Sequence, residues 1–221
     1  MRSGSPFPSR LTASRTRRCA RALAATALTL GVLAYASVAS AGAETYRIDP
    51  DQSSTEFAVT NLGTARQRGH FGHTEGTIVL DSEEHTGDVN LVIDATSVDT
   101  GWGLRDAWLR GEDMFDVVHF PVMRFNSTQL VFKQDELIGI SGLLTLRNVT
   151  RPVNLKIEHM QCGREPDGRR ETCGAGAVST IKRSDFGLTR VLGWVSDDID
   201  LTFQVTAFRV PAGDTRAAVP R

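Results

Sequence analysis

From Thr55 onward the chain alternates apolar and polar residues with period two, and turn residues interrupt the alternation at short, regular intervals. Phe57, Val59 and Asn61 share one face of such a run, and Val89, Leu91, Ile93 and Ala95 share another. Ile138, Ile140, Gly142, Leu144 and Leu146 form a longer run, followed after a short turn by Val153, Leu155 and Ile157. Ile199, Leu201, Phe203, Val205 and Ala207 close the series, with Asp198 and Asp200 on the opposite face. Gly63, Glu84-His85-Thr86-Gly87, Lys133-Gln134-Asp135 and Asn148-Val149-Thr150 supply breaks. Strands patterned this way are apolar on one side and wet on the other, the pattern of antiparallel sheets. About eight such segments predict an all-β domain, a barrel or a sandwich.

One stretch departs from this pattern. Between Leu104 and Asp116, apolar residues fall at Leu104, Trp108 and Phe115, with Ala107, Leu109 and Met114 flanking, which is nearer a helical than a strand period. Gly111 interrupts the helix and Pro121 forbids its continuation. A single short helix between the third and fourth strands is therefore expected, placed to close one end of a barrel.

Residues 1–43 read as a secretory signal peptide. They carry Arg10, Arg15, Arg17, Arg18 and Arg21, an apolar run from Leu23 to about Ala39, and two small-x-small cleavage sites ending at Ala41 and Ala43. No cysteine follows the apolar run to accept a lipid, so no permanent membrane anchor is expected after cleavage. Removing the leader's six arginines from the chain's 25 basic residues leaves 19 against 26 acidic ones, a net charge of −7. An acidic mature chain argues against a nucleic-acid partner and leaves no polybasic membrane patch. Secretion to the periplasm, an oxidising compartment, favours a disulfide between Cys162 and Cys173, the two cysteines left after cleavage. Pro166-Asp167-Gly168 supplies a turn inside that loop, and residues 211–221 read as a frayed tail after a domain of residues 44–210.

Several motifs in the predicted strands and helix identify a family. Ser97-Val98-Asp99-Thr100, Arg105-Asp106 with Leu109-Arg110, Asp113-Met114-Phe115-Asp116, and Pro121 with Phe125 occur in order. They are joined by Tyr46-Arg47-Ile48-Asp49-Pro50, Gly69-His70-Phe71, Gly142-Leu143-Leu144-Thr145-Leu146 with Val149-Thr150-Arg151-Pro152-Val153, and Arg183-Ser184-Asp185-Phe186-Gly187-Leu188. Together these resemble the YceI-like proteins across nearly all of the mature chain. Departures are Gln52 and Asn61, where the family often carries His, and Asn148, where it carries Gly; Asn still reaches the left-handed conformation that turn requires.

The resemblance implies an eight-stranded antiparallel lipocalin-like barrel that binds, carries or stores a long-chain isoprenoid or related amphiphile, a quinone among them. No other cofactor is expected, and by the same analogy a homodimer is an admissible assembly. Eight strands leave an interior either filled by side chains or wide enough for one small ligand. Phe57, Val59, Phe71, Trp108, Phe115, Phe125 and Phe186 are the expected lining residues, with core packing as the alternative for each. Trp102, Trp108 and Trp194 suit a cavity mouth.

No catalytic constellation emerges. Adjacent charges such as Arg105-Asp106, and Arg183 beside Asp185, do not face each other on a regular element, so a structural role at the barrel rim is expected for all four. His70 and His73 lack the spacing of metal ligands on a strand, and no metal site is expected. Nucleophile-elbow, zinc-helix and dinucleotide glycine motifs are all missing from the sequence. A binding protein rather than an enzyme is predicted, with a filled-barrel interaction module as the alternative.

Overall fold

The computed structural model describes residues 42–211 except 166, 167 and 169. The predicted leader, the tail and the Pro166-Asp167-Gly168 turn thus lie, but for residues 42, 43, 168 and 211, outside the described residues. What is described is a closed antiparallel barrel of eight staves, several of them built from two collinear strands. The first stave joins β1 (Glu44–Ile48) to β2 (Ser54–Asn61), and the second joins β3 (Ala65–Phe71) to β4 (Thr74–Asp81). The third runs through β5 (Thr86–Asp94), a 3-10 turn at Ala95–Ser97, and β6 (Val98–Asp99). After the helix α1 (Gly103–Arg110) come β7 (Val122–Lys133), β8 (Glu136–Leu146), β9 (Val149–Arg164), β10 (Glu171–Lys182) and β11 (Asp198–Arg209). The helix therefore separates the third and fourth staves.

Every stave pairs with its sequence neighbours, and β11 closes the ring by pairing with both halves of the first stave. Its start faces β2, with Asp200 opposite Ala58, and its end faces β1, with Ala207 opposite Ile48. Pro50 sits in the interruption between those halves, where it owes no hydrogen bond to the ladder. The chain there is stitched to β11 instead: Asp49 N–H donates to the Thr206 carbonyl at 2.8 Å, and Thr206 N–H donates to Ser53 Oγ at 3.0 Å. At the matching break in the second stave, the buried hydroxyls of Thr55 and Thr74 lie 3.1 Å apart.

The tight turns use the left-handed conformation where two-residue hairpins require it. Arg147 (φ 50°) and Asn148 (φ 63°) join β8 to β9 in this way, and the three-residue connection from β2 to β3 uses the same region at Leu62 (φ 49°) and Gly63 (φ 73°) before Thr64. Asn148 thereby takes the left-handed conformation expected of it at this turn. Cys162 and Cys173 are direct cross-strand partners on β9 and β10 and form a disulfide, with their Cα atoms 4.0 Å apart.

The core is the barrel interior. Val89, Leu91, Ile93, Ile140, Leu144, Leu146, Val153, Leu155, Leu201, Phe203 and Ala207 are all buried, as strand alternation requires. Two local readings need correction. Ile138 does not share the face of Ile140: the β7–β8 register shifts between Val131 and Phe132, and the extra residue turns Ile138 outward and Leu137 toward the core. The helix ends at Arg110 with Gly111 as its C-cap, as the interruption at Gly111 predicts, but Leu104, counted in its apolar set, points to solvent. The helix instead buries Asp106 and Leu109, and the chain after Gly111 folds back so that Phe115 N–H donates to the Leu109 carbonyl at 2.9 Å.

Candidate functional site

Two apolar voids lie inside the barrel. The larger, about 170 Å³, is at the end covered by α1 and by the connection from β10 to β11. Its wall takes Thr55, Phe57, Val59 and Asn61 from β2, Gln67, Arg68 and Phe71 from β3, Ile93 from β5 and Met123 from β7. Leu144 and Leu146 from β8, Ile181 from β10, and Ile199, Leu201 and Phe203 from β11 complete the staves. Arg105, Trp108 and Leu109 of α1 and Met114 and Phe115 beyond it cover one side; Arg183, Leu188, Val191 and Val195 cover the other. The second void, about 70 Å³, lies toward the disulfide and shares Phe203 with the first.

An aromatic cluster shapes the larger cavity. Phe71 meets Phe115 edge to face with ring centroids 5.4 Å apart, and Phe57 lies 5.5 Å from Phe71 at a tilt. Gly69 makes room for this, because a Cβ there would fall 2.5 Å from Phe57 Cζ. Trp108 is 40% exposed and reaches the cavity from the rim.

Of the seven aromatic and aliphatic residues expected to line a cavity, Phe57, Val59, Phe71, Trp108 and Phe115 stand on this wall. Phe125 and Phe186 do not. Both are almost fully buried in the packed core, Phe125 at a level between the two voids, since on β8 Leu144 lines one void and Ile140 the other. Trp102 and Trp194 are more than half exposed and are not on the wall. The sequence reading missed Leu144, Leu146, Ile199, Leu201 and Phe203 as lining residues although it placed each on an inward face. It also missed Gln67, Met114, Met123 and the connection around Leu188–Val195, for which no periodic signal exists.

The charged residues at this end are held by backbone and side-chain partners. Arg105 donates from Nε to Thr100 Oγ1 and from Nη2 to the Thr100 carbonyl, each at 2.7 Å, and from Nη1 to Gln67 Oε1. The buried Asp106 accepts from Thr100 N–H at 2.9 Å and from its hydroxyl. Both neighbours thus converge on Thr100, which joins the third stave to the helix. Arg110 adds bonds to the carbonyls of Thr96 (2.8 Å) and Val98 (2.5 Å).

Arg183 is 3% exposed. Its Nη2 donates to the Arg190 carbonyl at 2.7 Å and its backbone N–H to the Asp197 carbonyl at 2.9 Å. Burial lowers the proton affinity of its guanidinium, and the charge of Asp197 opposes that shift. Asp185 is exposed. The carboxylate that braces this turn is Asp197, which accepts from Ser184 Oγ at 2.7 Å and from Ser184 N–H at 2.9 Å. Those two bonds hold its carboxyl below the usual carboxylate range. An ion pair of 2.9 Å between Arg190 and Asp113 spans from this connection to the segment after the helix, and both side chains are largely exposed.

Among the described residues no three His, Cys, Asp or Glu side chains cluster as metal ligands. No helix there is long and apolar enough to cross a membrane. The arrangement offers a largely apolar chamber with a few polar side chains on its wall, the form of a small-molecule binding site.

Comparison with known proteins agrees with this architecture. The YceI-like domain family matches residues 46–207. A UPF0312 protein of Yersinia pestis (strain Pestoides F) is 35% identical over 186 residues, covering 83% of this chain and 95% of that protein. Among solved structures, Burkholderia cenocepacia BcnA superposes with a TM-score of 0.59 at 20% identity, over 72% of this chain and 98% of its own. A polyisoprenoid binding domain from Saccharophagus degradans, implicated in plant cell wall breakdown, gives 0.56 at 20% identity, over 75% of this chain and 98% of its own.

Proposed function

This chain belongs to the YceI-like family, and from that premise we propose that it is a non-enzymatic periplasmic protein that binds the apolar chain of an isoprenoid lipid or related amphiphile, quinones included, for transport or storage. The observation that carries this reading is the helix-end cavity. Packed interiors rarely leave voids much larger than a water molecule, so an apolar chamber of about 170 Å³ inside a closed barrel is space for a ligand. A dry engineered cavity of about 150 Å³ takes up benzene, which sets the scale. The chamber seats the first units of a chain, and the second void lies beyond Phe203 along the same interior. Burial of chain surface drives binding at about 25 cal/mol per Å² before ordering costs.

Two further facts support the reading. A solved barrel of the same fold is described as a polyisoprenoid binding domain. The disulfide fits an oxidising compartment, and the arginine-rich, apolar amino-terminal sequence fits export to the periplasm.

The direct test is mass spectrometry of organic extracts from protein purified from the secreted compartment. A stoichiometric prenyl or long-chain species is expected. A blank extract that stays blank after incubation with quinones and prenyl alcohols overturns the reading in favour of a filled-barrel interaction module.

A further inference from the structure

Among the described residues, two buried side-chain polar atoms have no hydrogen-bond partner: Nε of Arg183 and Oδ1 of Asn61. Both residues stand on the wall of the helix-end cavity. Unpaired polar atoms of this kind are rare in folded proteins, because each loses its hydration without compensation. Two of them on the wall of one largely apolar chamber, which also carries Gln67, Arg68 and Arg105, point to a ligand that supplies their partners.

The two groups are held by the same piece of chain. Arg183 bonds to the backbone of Arg190 and Asp197, and Asn61 forms an isolated antiparallel bridge with Val195 between them. Their chemistries are complementary. Arg183 presents one N–H and a positive charge from a site 3% exposed, while Asp197, the carboxylate whose charge acts on it, also accepts twice from Ser184. Asn61 presents an acceptor oxygen. A hydrocarbon chain satisfies neither. A head group with anionic oxygens accepts from Arg183 in a charge-assisted bond, and an O–H on the same head donates to Asn61.

We infer that the cavity recognises its amphiphile by an acidic oxygen head group of the phosphate-monoester kind, seated against Arg183 and Asn61, with the chain running along Phe57 and Phe71. This rests on the chain-binding reading above and adds the head-group class to it. A phosphate monoester near neutral pH carries both the negative oxygens and, in part, the O–H that the pair requires.

The test keeps one chain and changes the head. Farnesyl phosphate, farnesol and farnesylamine are titrated, below their micelle concentrations, into the intact disulfide-bonded protein by calorimetry. The phosphate is expected to bind at least about tenfold more tightly than the alcohol, and the amine most weakly, since a charge-assisted bond to a buried cation discriminates heads strongly. Arg183→Met removes that gap while the alcohol still binds, and Arg183→Lys retains part of it. Equal affinity for all three heads in the wild-type protein overturns the inference and leaves chain binding standing, as does a gap that persists in Arg183→Met. Failure of all three to bind overturns the chain-binding reading, and this inference with it. The wild-type series decides the matter even if Arg183→Met does not fold.

Discussion

Phe125 packs so closely over Gly142 that a Cβ on residue 142 would fall 2.4 Å from the ring Cζ and 2.6 Å from the Asn126 carbonyl oxygen. The glycine is there because the ring needs its space, at a level of the barrel between the two voids. Gly142→Ala forces the ring or the strand to move and is expected to destabilise the protein by about 1–3 kcal/mol, the range for overpacking a core. In a Phe125→Ala background the ring is gone and the same substitution costs less, although the contact with Asn126 remains. Urea denaturation of the four proteins in a double-mutant cycle reads the coupling; strictly additive effects would refute the contact.

Much of the barrel was legible in the sequence because its information is local. The inward sets Val89–Ala95 and Ile199–Ala207 follow from a period of two, and a break at Asn148 from its residue chemistry, although the turn itself is Arg147-Asn148 and Val149 and Thr150 already belong to β9. What alternation does not encode is height along the barrel axis. Leu144 and Ile140 have the same signature, yet one faces the larger void and the other the smaller. Phe125 and Phe186 illustrate the same limit, since a large apolar residue reads identically whether it bounds a cavity or fills the core. Ile138 failed for another reason: a bulge opposite Val131 reverses parity, and no residue type announces it. The two orphan polar atoms could be found only with coordinates, because burial and partner count are properties of the fold.

The disulfide sits on β9 and β10 beside the smaller void, where Cys173 forms part of the wall, away from the helix-covered end. Cys162→Ser/Cys173→Ser is expected to lose about 2–4 kcal/mol of stability, chiefly by freeing the unfolded chain. Ligand affinity at the helix end should hardly change at temperatures where the variant is folded. Thermal unfolding with and without reductant gives the first quantity; wild-type protein in strong reductant should match the variant. A fall in affinity parallel to the fall in stability would show that the two ends are not independent.

Asp197 makes the Ser184 brace sensitive to acid. Its carboxyl titrates lower in the folded protein than in the unfolded chain because Ser184 donates twice to the ionised form. A depressed carboxylate contributes stability that is complete above the unfolded value, near about pH 4, and disappears as pH falls through the folded one. Asp197→Asn should therefore be less stable than wild type at pH 7, and the two proteins should converge as the pH is lowered below about 4. Denaturant midpoints measured across that range check the sign. A difference that stays constant with pH would assign the effect to packing rather than ionisation.

Trp108 is the tryptophan on the cavity wall, whereas Trp102 and Trp194 are more than half exposed and off it. Ligand entry should consequently change indole emission through Trp108. A Trp102→Phe/Trp194→Phe protein is expected to keep the full response, and Trp108→Phe to lose it. Removing the ring also removes apolar surface from the wall, so Trp108→Ala should weaken chain binding by about 1–2 kcal/mol, or roughly 5- to 30-fold in Kd. Because Trp108 stands at the rim and is 40% exposed, the substitution should cost less folding stability than a fully buried aromatic would, and affinity and stability should part company. Calorimetric titration beside thermal unfolding separates the two, and an unchanged Kd in Trp108→Ala would take this residue out of the binding site.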